Sequence, residues 1–425
     1  MASRDAIRTG AVARRSRRRL AHRAGPKRPV AAPPVRRERI AYLDNLKVLL
    51  VAVIITGHSI FGYVPASGVW KGSWPYQDVQ EVSLGAVSKA VLVIPVLPAA
   101  LFAMGLFFLI SGLVTPGSVA RKGPGRFARD RVVRLGIPLA IWTLGVWPAL
   151  LLIRDRAGGN NPLATFWYEV LHRTPSFEPG PMWFVEVLLI YSLGYAAWRQ
   201  WRLHHAFPFA THARSAADGR APLQGRTLVL LAAGISLATI LVRPAFPFTS
   251  GQIGQLKLWQ WPTYLGMFGL GIVAVQRGGL DPVPNRIKRR WGQVVLLSFV
   301  AVGLLFAAIT LAGYNTNVLQ RRLHWAPTLF AALEGPIAVG ICVWLLAFAQ
   351  RHLNRPPGAR GRALARSAFA AFVVQGPIII ALQFALRSLE LPAEVKALTV
   401  ACAAVTGSFA MAWVLVSRTP AGRIL

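Results

Sequence analysis

Ten stretches of about twenty mostly apolar residues punctuate the chain, near 44–63, 91–114, 133–153, 183–199, 227–243, 260–276, 292–312, 327–349, 367–387 and 397–416. A hydrocarbon core of about 30 Å is crossed by roughly twenty such residues in α-helix. Lipid offers no partner to a free N–H or C=O, so helices, which satisfy their own backbone, are the expected solution. The sequence therefore predicts an all-α fold, a polytopic transmembrane helix bundle of about ten helices. The fourth to sixth stretches are the shortest, which leaves nine to eleven spans open. Composition agrees. Only 15% of residues are charged and the mean hydropathy is +0.46, whereas a soluble domain carries about 25% charged residues.

A formal net charge of +33 would by itself point to nucleic acid. Its distribution points elsewhere. With the N-terminus on the cytoplasmic side, 36 of the 48 Lys and Arg residues fall in the N-terminal tail, the even-numbered connections (115–134, 199–226, 277–290, 350–366) and the C-terminal tail. The other connections share 11, and Lys47 lies inside the first stretch. Positive charge held on one face sets membrane orientation. The expected topology is N-in and C-in, in the cell membrane, and a nucleic-acid partner is not expected.

Residues 1–39 read as a disordered basic cytoplasmic tail, rich in Arg, Ala and Pro, with Arg14 to Arg19 interrupted only by Ser16. Such a stretch buries no core and suits anionic headgroups. No short apolar segment follows the early basic run, so a cleavable signal peptide is not expected; an organelle transit peptide shares the composition. Residues 40–417 form one membrane domain, and 418–425 a short cytoplasmic tail. Cys342 and Cys402 lie within apolar stretches and no metal-ligand spacing of His or Cys occurs, so neither a disulfide nor a bound metal is expected.

Ionisable residues inside a membrane are costly and mark function by default. Lys47 and His58 are eleven residues apart, three helical turns plus about 20°, so they share a face with roughly 16 Å between them along the axis. Lys47 either snorkels to the headgroups or serves a ligand. His58 either bonds a neighbouring helix or acts as a general base. Arg131 and Arg134, spaced i, i+3, share a face at the mouth of the third span, where they anchor the helix or clamp phosphates. Glu186 and Glu334 fall in the outer half of the bilayer, near the depth of His58. Each either orients an imidazole, binds a hydroxyl or is a protonated structural acid. Gln375 precedes Gly376 and Pro377, where a broken backbone facing a cavity is expected.

Four segments together resemble the acyltransferase-3 family of integral membrane O-acyltransferases, over about residues 39–417. The run from Arg39 to His58, with a basic residue eleven positions before the histidine, looks like that family's first helix. Phe107–Leu113 (FFLISGL) is similar to its second-helix signature. Arg131-Val-Val-Arg134, preceded by RKGPGRF, resembles its Arg-x-x-Arg motif. Pro181–Glu186 (PMWFVE) and Ser367–Ile378 fall where the family has its Trp-containing fourth segment and a late Tyr-x-x-His-x-Pro-like segment. Three positions depart. Lys47 stands for the usual Arg, which keeps charge but loses the planar fork. Gln375 stands where His is frequent, and Glu186 follows Trp183 by three residues where many members use five. The chain resembles the stand-alone members.

The resemblance implies transfer of an acyl group, often acetyl, from cytoplasmic acyl-CoA to a hydroxyl of a carbohydrate, lipid or secondary metabolite. Lys47, Arg131 and Arg134 would bind the donor's phosphates. His58 would be base or nucleophile, with Glu186 or Glu334 supporting it. No resident cofactor is expected, acyl-CoA being the donor substrate. A proton-coupled secondary transporter is the main rival, and a non-catalytic scaffold the other.

Overall fold

The computed structural model describes residues 41–64, 82–93, 97–150, 179–205, 224–248, 256–277 and 282–424. The expected basic tail lies outside them. Among the described residues every regular element is helical. In chain order these are α1 (Ala41–Phe61), α2 (Ala86–Val93), α3 (Leu97–Lys122), α4 (Pro124–Leu150), α5 (Trp183–His204), α6 (Gly225–Val242), α7 (Trp261–Arg277), α8 (Asn285–Leu311), α9 (Trp325–His352), α10 (Ala359–Arg387) and α11 (Ala393–Arg418). Nine of the described helices are long and apolar enough to cross a membrane. The sixth expected span is present as α7, a helix of 17 residues. The all-α polytopic bundle is thus what the structure contains.

Helices run past the apolar stretches into their charged flanks. The connection 115–134, expected as a basic loop, is almost wholly helical: α3 continues to Lys122, and α4 starts at Pro124. Only Gly123 turns the chain, at φ 77, a conformation that glycine adopts without steric cost. Pro124 then opens α4 where no N–H partner is needed, and Lys122 pairs with Asp130 across the corner. A second expectation fails at Pro377. The helix α10 is continuous through Gln375, Gly376 and Pro377. Proline removes one backbone hydrogen bond, and the helices packed around α10 supply enough support that it does not break.

Packing is built on small residues, because lipid gives helices little hydrophobic reason to associate. Gly112 of α3 and Gly271 of α7 lie against each other's backbones, where a Cβ would strike the Phe268 carbonyl from one side and the Leu109 carbonyl from the other. Gly335 of α9 meets the Ala232 carbonyl of α6 in the same way, and Ser236 donates to the Ala332 carbonyl at 2.6 Å beside it. A second assembly joins α1, α10 and α11. The helix α8 packs on α9 and turns Leu296, Leu297, Val300 and Leu304 outward, a stripe at helical spacing fit for lipid.

Candidate active site

His58 sits one turn from the end of α1, and its Nδ1 is sealed from solvent. Facing it is the side-chain amide of Gln375, 1% exposed, from α10. Gly407 on α11 comes within 3.6 Å of the Ile378 side chain, measured from an added Cβ, so Ser408 reaches the same level of the bundle. The Ser408 hydroxyl and, two turns beyond Gln375, the Gln383 amide are fully buried with no hydrogen-bond partner among the described residues. Buried polar atoms without partners are rare in folded proteins, and their concentration around α1, α10 and α11 calls for an occupant.

An aromatic wall separates this group from a second one. Phe184 packs on Phe107 and Phe108, both with ring centroids at 5.3 Å, and on Phe372 at 5.9 Å. Phe372 lies one turn before Gln375. Trp183 stacks on Tyr264 at 5.5 Å, and Tyr264 on Phe108 at 4.8 Å. Glu186, in the first turn of α5, is half-buried with Oε2 sealed and unpartnered among the described residues.

Glu334 is the structural surprise. Arg243, just past α6, donates Nη2 to Glu334 Oε1. Their side chains are 3% and 12% exposed. Helical side chains lean toward their own N-terminus. On the antiparallel pair α6 and α9 that lean carries Arg243 and Glu334 toward each other. Phe248 and Trp259 each hold a ring 5.0 Å from the guanidinium carbon. Tyr264 lies within electrostatic reach of Glu334 and donates its hydroxyl to Gln260.

The basic residues lie apart from these groups. Lys47 is bonded to Asp44, one turn earlier, at 3.2 Å, and keeps a third of its side chain exposed. Asn45 beside it donates to the carbonyls of Leu353 and Arg355 at 2.7 and 3.2 Å, which ties the α9–α10 connection to α1. Arg131 is half-buried over the Phe127 ring at 5.0 Å, whereas Arg134 is exposed. The two still act on each other electrostatically. Arg134 falls in a π-helical turn, Val132–Gly136, the first of two in α4. The wider turn splays a pair that an α-helix would hold on one face.

The structure thus joins His58 to Gln375 and Glu334 to Arg243, and neither glutamate is hydrogen-bonded to His58 among the described residues. Sequence reasoning missed Arg243 and Tyr264. A signal for the first existed: under the expected topology an arginine ends an apolar span on the face where positive charge is disfavoured, with a glutamate available in another span. Comparison decides what kind of protein carries this arrangement. A profile of the acyltransferase domain, acyltransferase-3, matches residues 40–417. The chain belongs to the acyltransferase-3 family. With its nine spanning helices among the described residues, this acyltransferase-3 protein is a multi-pass membrane acyltransferase. No curated protein and no solved structure gives a significant match. Its polar interior therefore belongs to an enzyme that transfers acyl groups, and the partnerless amides and hydroxyls fall inside the matched domain.

Proposed function

We propose that this membrane acyltransferase moves an acyl group, acetyl first among candidates, from cytoplasmic acyl-CoA to a hydroxyl of a carbohydrate, lipid or secondary metabolite. The observation that carries the reading is His58, sealed in the bundle beside Gln375 within a family-matched domain. The topology is N-in and C-in, so Lys47, Arg131 and Arg134 meet the donor at the cytoplasmic mouth in the cell membrane. Lys47, a third of whose side chain is exposed, exchanges Asp44 for a CoA phosphate. The roughly 16 Å between Lys47 and His58 along α1 suits a donor with phosphates at one end and a thioester at the other.

At the thioester, the acceptor hydroxyl attacks the carbonyl carbon, the new ester C–O bond forms, and the C–S bond breaks. The hydroxyl proton passes to His58 Nε2 and then to the departing CoA sulfur, which leaves as the thiol. His58 thus serves as general base and then acid. Attack by the imidazole itself, through an acyl-imidazole, gives the same products. Gln375 holds the ring in one orientation. Glu186, with its unpartnered oxygen, accepts the acceptor's hydroxyl, and Glu334 acts through its fixed pairing with Arg243.

Sealed vesicles of both orientations from the native host test the reading, with acetyl-CoA labelled on the acetyl group. Label in lipid- or glycan-extractable material from inside-out vesicles alone is the expected result. Transfer from right-side-out vesicles alone would overturn the donor's side. No transfer from either, with acetyl, succinyl or longer donors, would remove acyl-CoA dependence and favour the transporter.

A further inference from the structure

Two buried cations among the described residues, Arg243 and Lys396, have no part in acyl transfer at His58; Lys396 donates to the Arg387 carbonyl, whereas Arg243 keeps unused donors. Arg243 Nη2 is satisfied by Glu334, but Nε and Nη1 are sealed from solvent and have no hydrogen-bond partner among the described residues. Phe248 and Trp259, with ring centroids 4.7 Å apart, lie together on one side of the guanidinium, and the whole side chain is 3% exposed. Glu334 already balances the charge. What remains at Arg243 is donor capacity on a pair with no net charge, which suits an oxygen that carries no full charge. Nε–H and Nη1–H leave different edges of the guanidinium and do not form the parallel fork that grips one carboxylate. They suit two separate hydroxyl oxygens.

A chain of ring contacts joins this place to a cavity. Phe248, one of the covering rings, packs on Phe330 at 5.4 Å, and Phe330 on Phe306 at 6.5 Å. Phe306 lines a cavity of about 390 Å³ whose walls include the hydroxyls and amides of Thr310, Asn315, Thr316 and Asn317. This second apolar cluster holds Phe248, Trp259, Phe330 and Ile309, and is distinct from the main core. Inward from Arg243, Glu334 acts on Tyr264, and Tyr264 stacks on Trp183, one turn before Glu186. Ring contacts thus join the cavity to Arg243, and Tyr264 and Trp183 link the ion pair to the helical turn that carries Glu186.

We propose that Arg243 anchors the acyl acceptor: hydroxyl oxygens of a polyhydroxyl portion accept from Nε and Nη1, after entry through the cavity beside Phe306. The inference rests on the acyltransferase reading and names the acceptor's side of that reaction. The acceptor hydroxyls complete the guanidinium's hydrogen bonds, which Glu334 holds in place.

Purified protein in liposomes, labelled acetyl-CoA and graded amounts of native membrane extract as acceptor source provide the test. Arg243→Lys keeps a cation beside Glu334 but removes the spread of fixed donors. The expected result is an apparent KM for the extract raised about tenfold or more, with the KM for acetyl-CoA unchanged and the label released as an ester by hydroxylamine. An unchanged extract KM, or a parallel rise in both KM values, would overturn the proposal and leave Arg243 a structural residue. Should Arg243→Lys fail to fold, Asn317→Ala at the exposed cavity mouth serves instead, with a rise of about threefold expected and no change contradicting the route. Absence of transfer by wild type at every extract level, with acetyl, succinyl and longer donors alike, would remove the acyl-CoA-dependent reading, and this inference with it.

Discussion

Lys47 and His58 share a helix, and the proposed division of the reaction between recognition and chemistry gives them different expected kinetic signatures. On the proposed reading, Lys47→Ala removes a phosphate contact made equally in ground and transition states. Initial rates against acetyl-CoA are expected to give a KM about tenfold higher with kcat nearly unchanged. Gln375→Leu leaves the imidazole unguided, so kcat falls by about tenfold or more while the donor KM holds. Arg243 and Glu334 obey a different rule. Removing one partner of a buried ion pair costs about 3–5 kcal/mol, whereas replacing both with apolar groups is often neutral. Chemical denaturation should find Glu334→Leu severely destabilised and Glu334→Leu/Arg243→Leu close to wild type in stability, though inactive. Independent, additive losses would contradict the pairing. The histidine, the lysine and both glutamates were legible in the sequence because lipid makes every ionisable residue conspicuous. The Arg243 pairing was not. Orientation statistics count an arginine by its loop, and nothing in the one-dimensional record shows a side chain leaning back from a helix end into the bundle.

At the scale of elements, the period and length of apolar runs located the helices, but not their ends or their irregularities. Helical hydrogen bonding continues beyond the hydrocarbon, so α3 and α4 nearly meet at Gly123 where a basic loop was expected. The π turns of α4 carry no compositional mark, and they change which residues share a face with Arg131. Pro377 shows the opposite error: a residue that breaks isolated helices is absorbed where neighbours support the backbone. The close crossings are the more informative contacts. Gly271→Leu would drive a side chain into the Leu109 carbonyl and the Leu113 backbone. Overpacking typically costs about 1–3 kcal/mol and more where only backbone can yield. Thermal unfolding in detergent should show a strongly lowered midpoint for Gly271→Leu, and little change for Gly303→Leu, where an added Cβ meets nothing within 4 Å. Equal midpoints would mean that α3 and α7 do not cross as described.

For the whole molecule, charge asymmetry and helix order make one statement about sidedness. Cysteines placed at Leu323, 86% exposed between α8 and α9, and at exposed Pro356, between α9 and α10, should report opposite faces. In intact cells an impermeant maleimide is expected to label the cysteine at 323 and to reach that at 356 only after permeabilisation. The reverse pattern would invert the bundle, and with it the side from which the donor enters. The all-α bundle was legible from its apolar stretches because the bilayer permits so few solutions. The arrangement of helices into an α1–α10–α11 group and an α6–α9 group was not, since glycine contacts and buried amides gain meaning only in three dimensions.

The central claim is that acyl transfer occurs at His58, and one comparison tests it most directly. Inside-out vesicles carrying wild type or His58→Ala, matched for folded protein, receive acetyl-labelled acetyl-CoA, and label is followed into extractable acceptor. Wild-type transfer with a loss of about a hundredfold or more in His58→Ala is the predicted result. Equal labelling by the two proteins would contradict the account and move the chemistry away from His58.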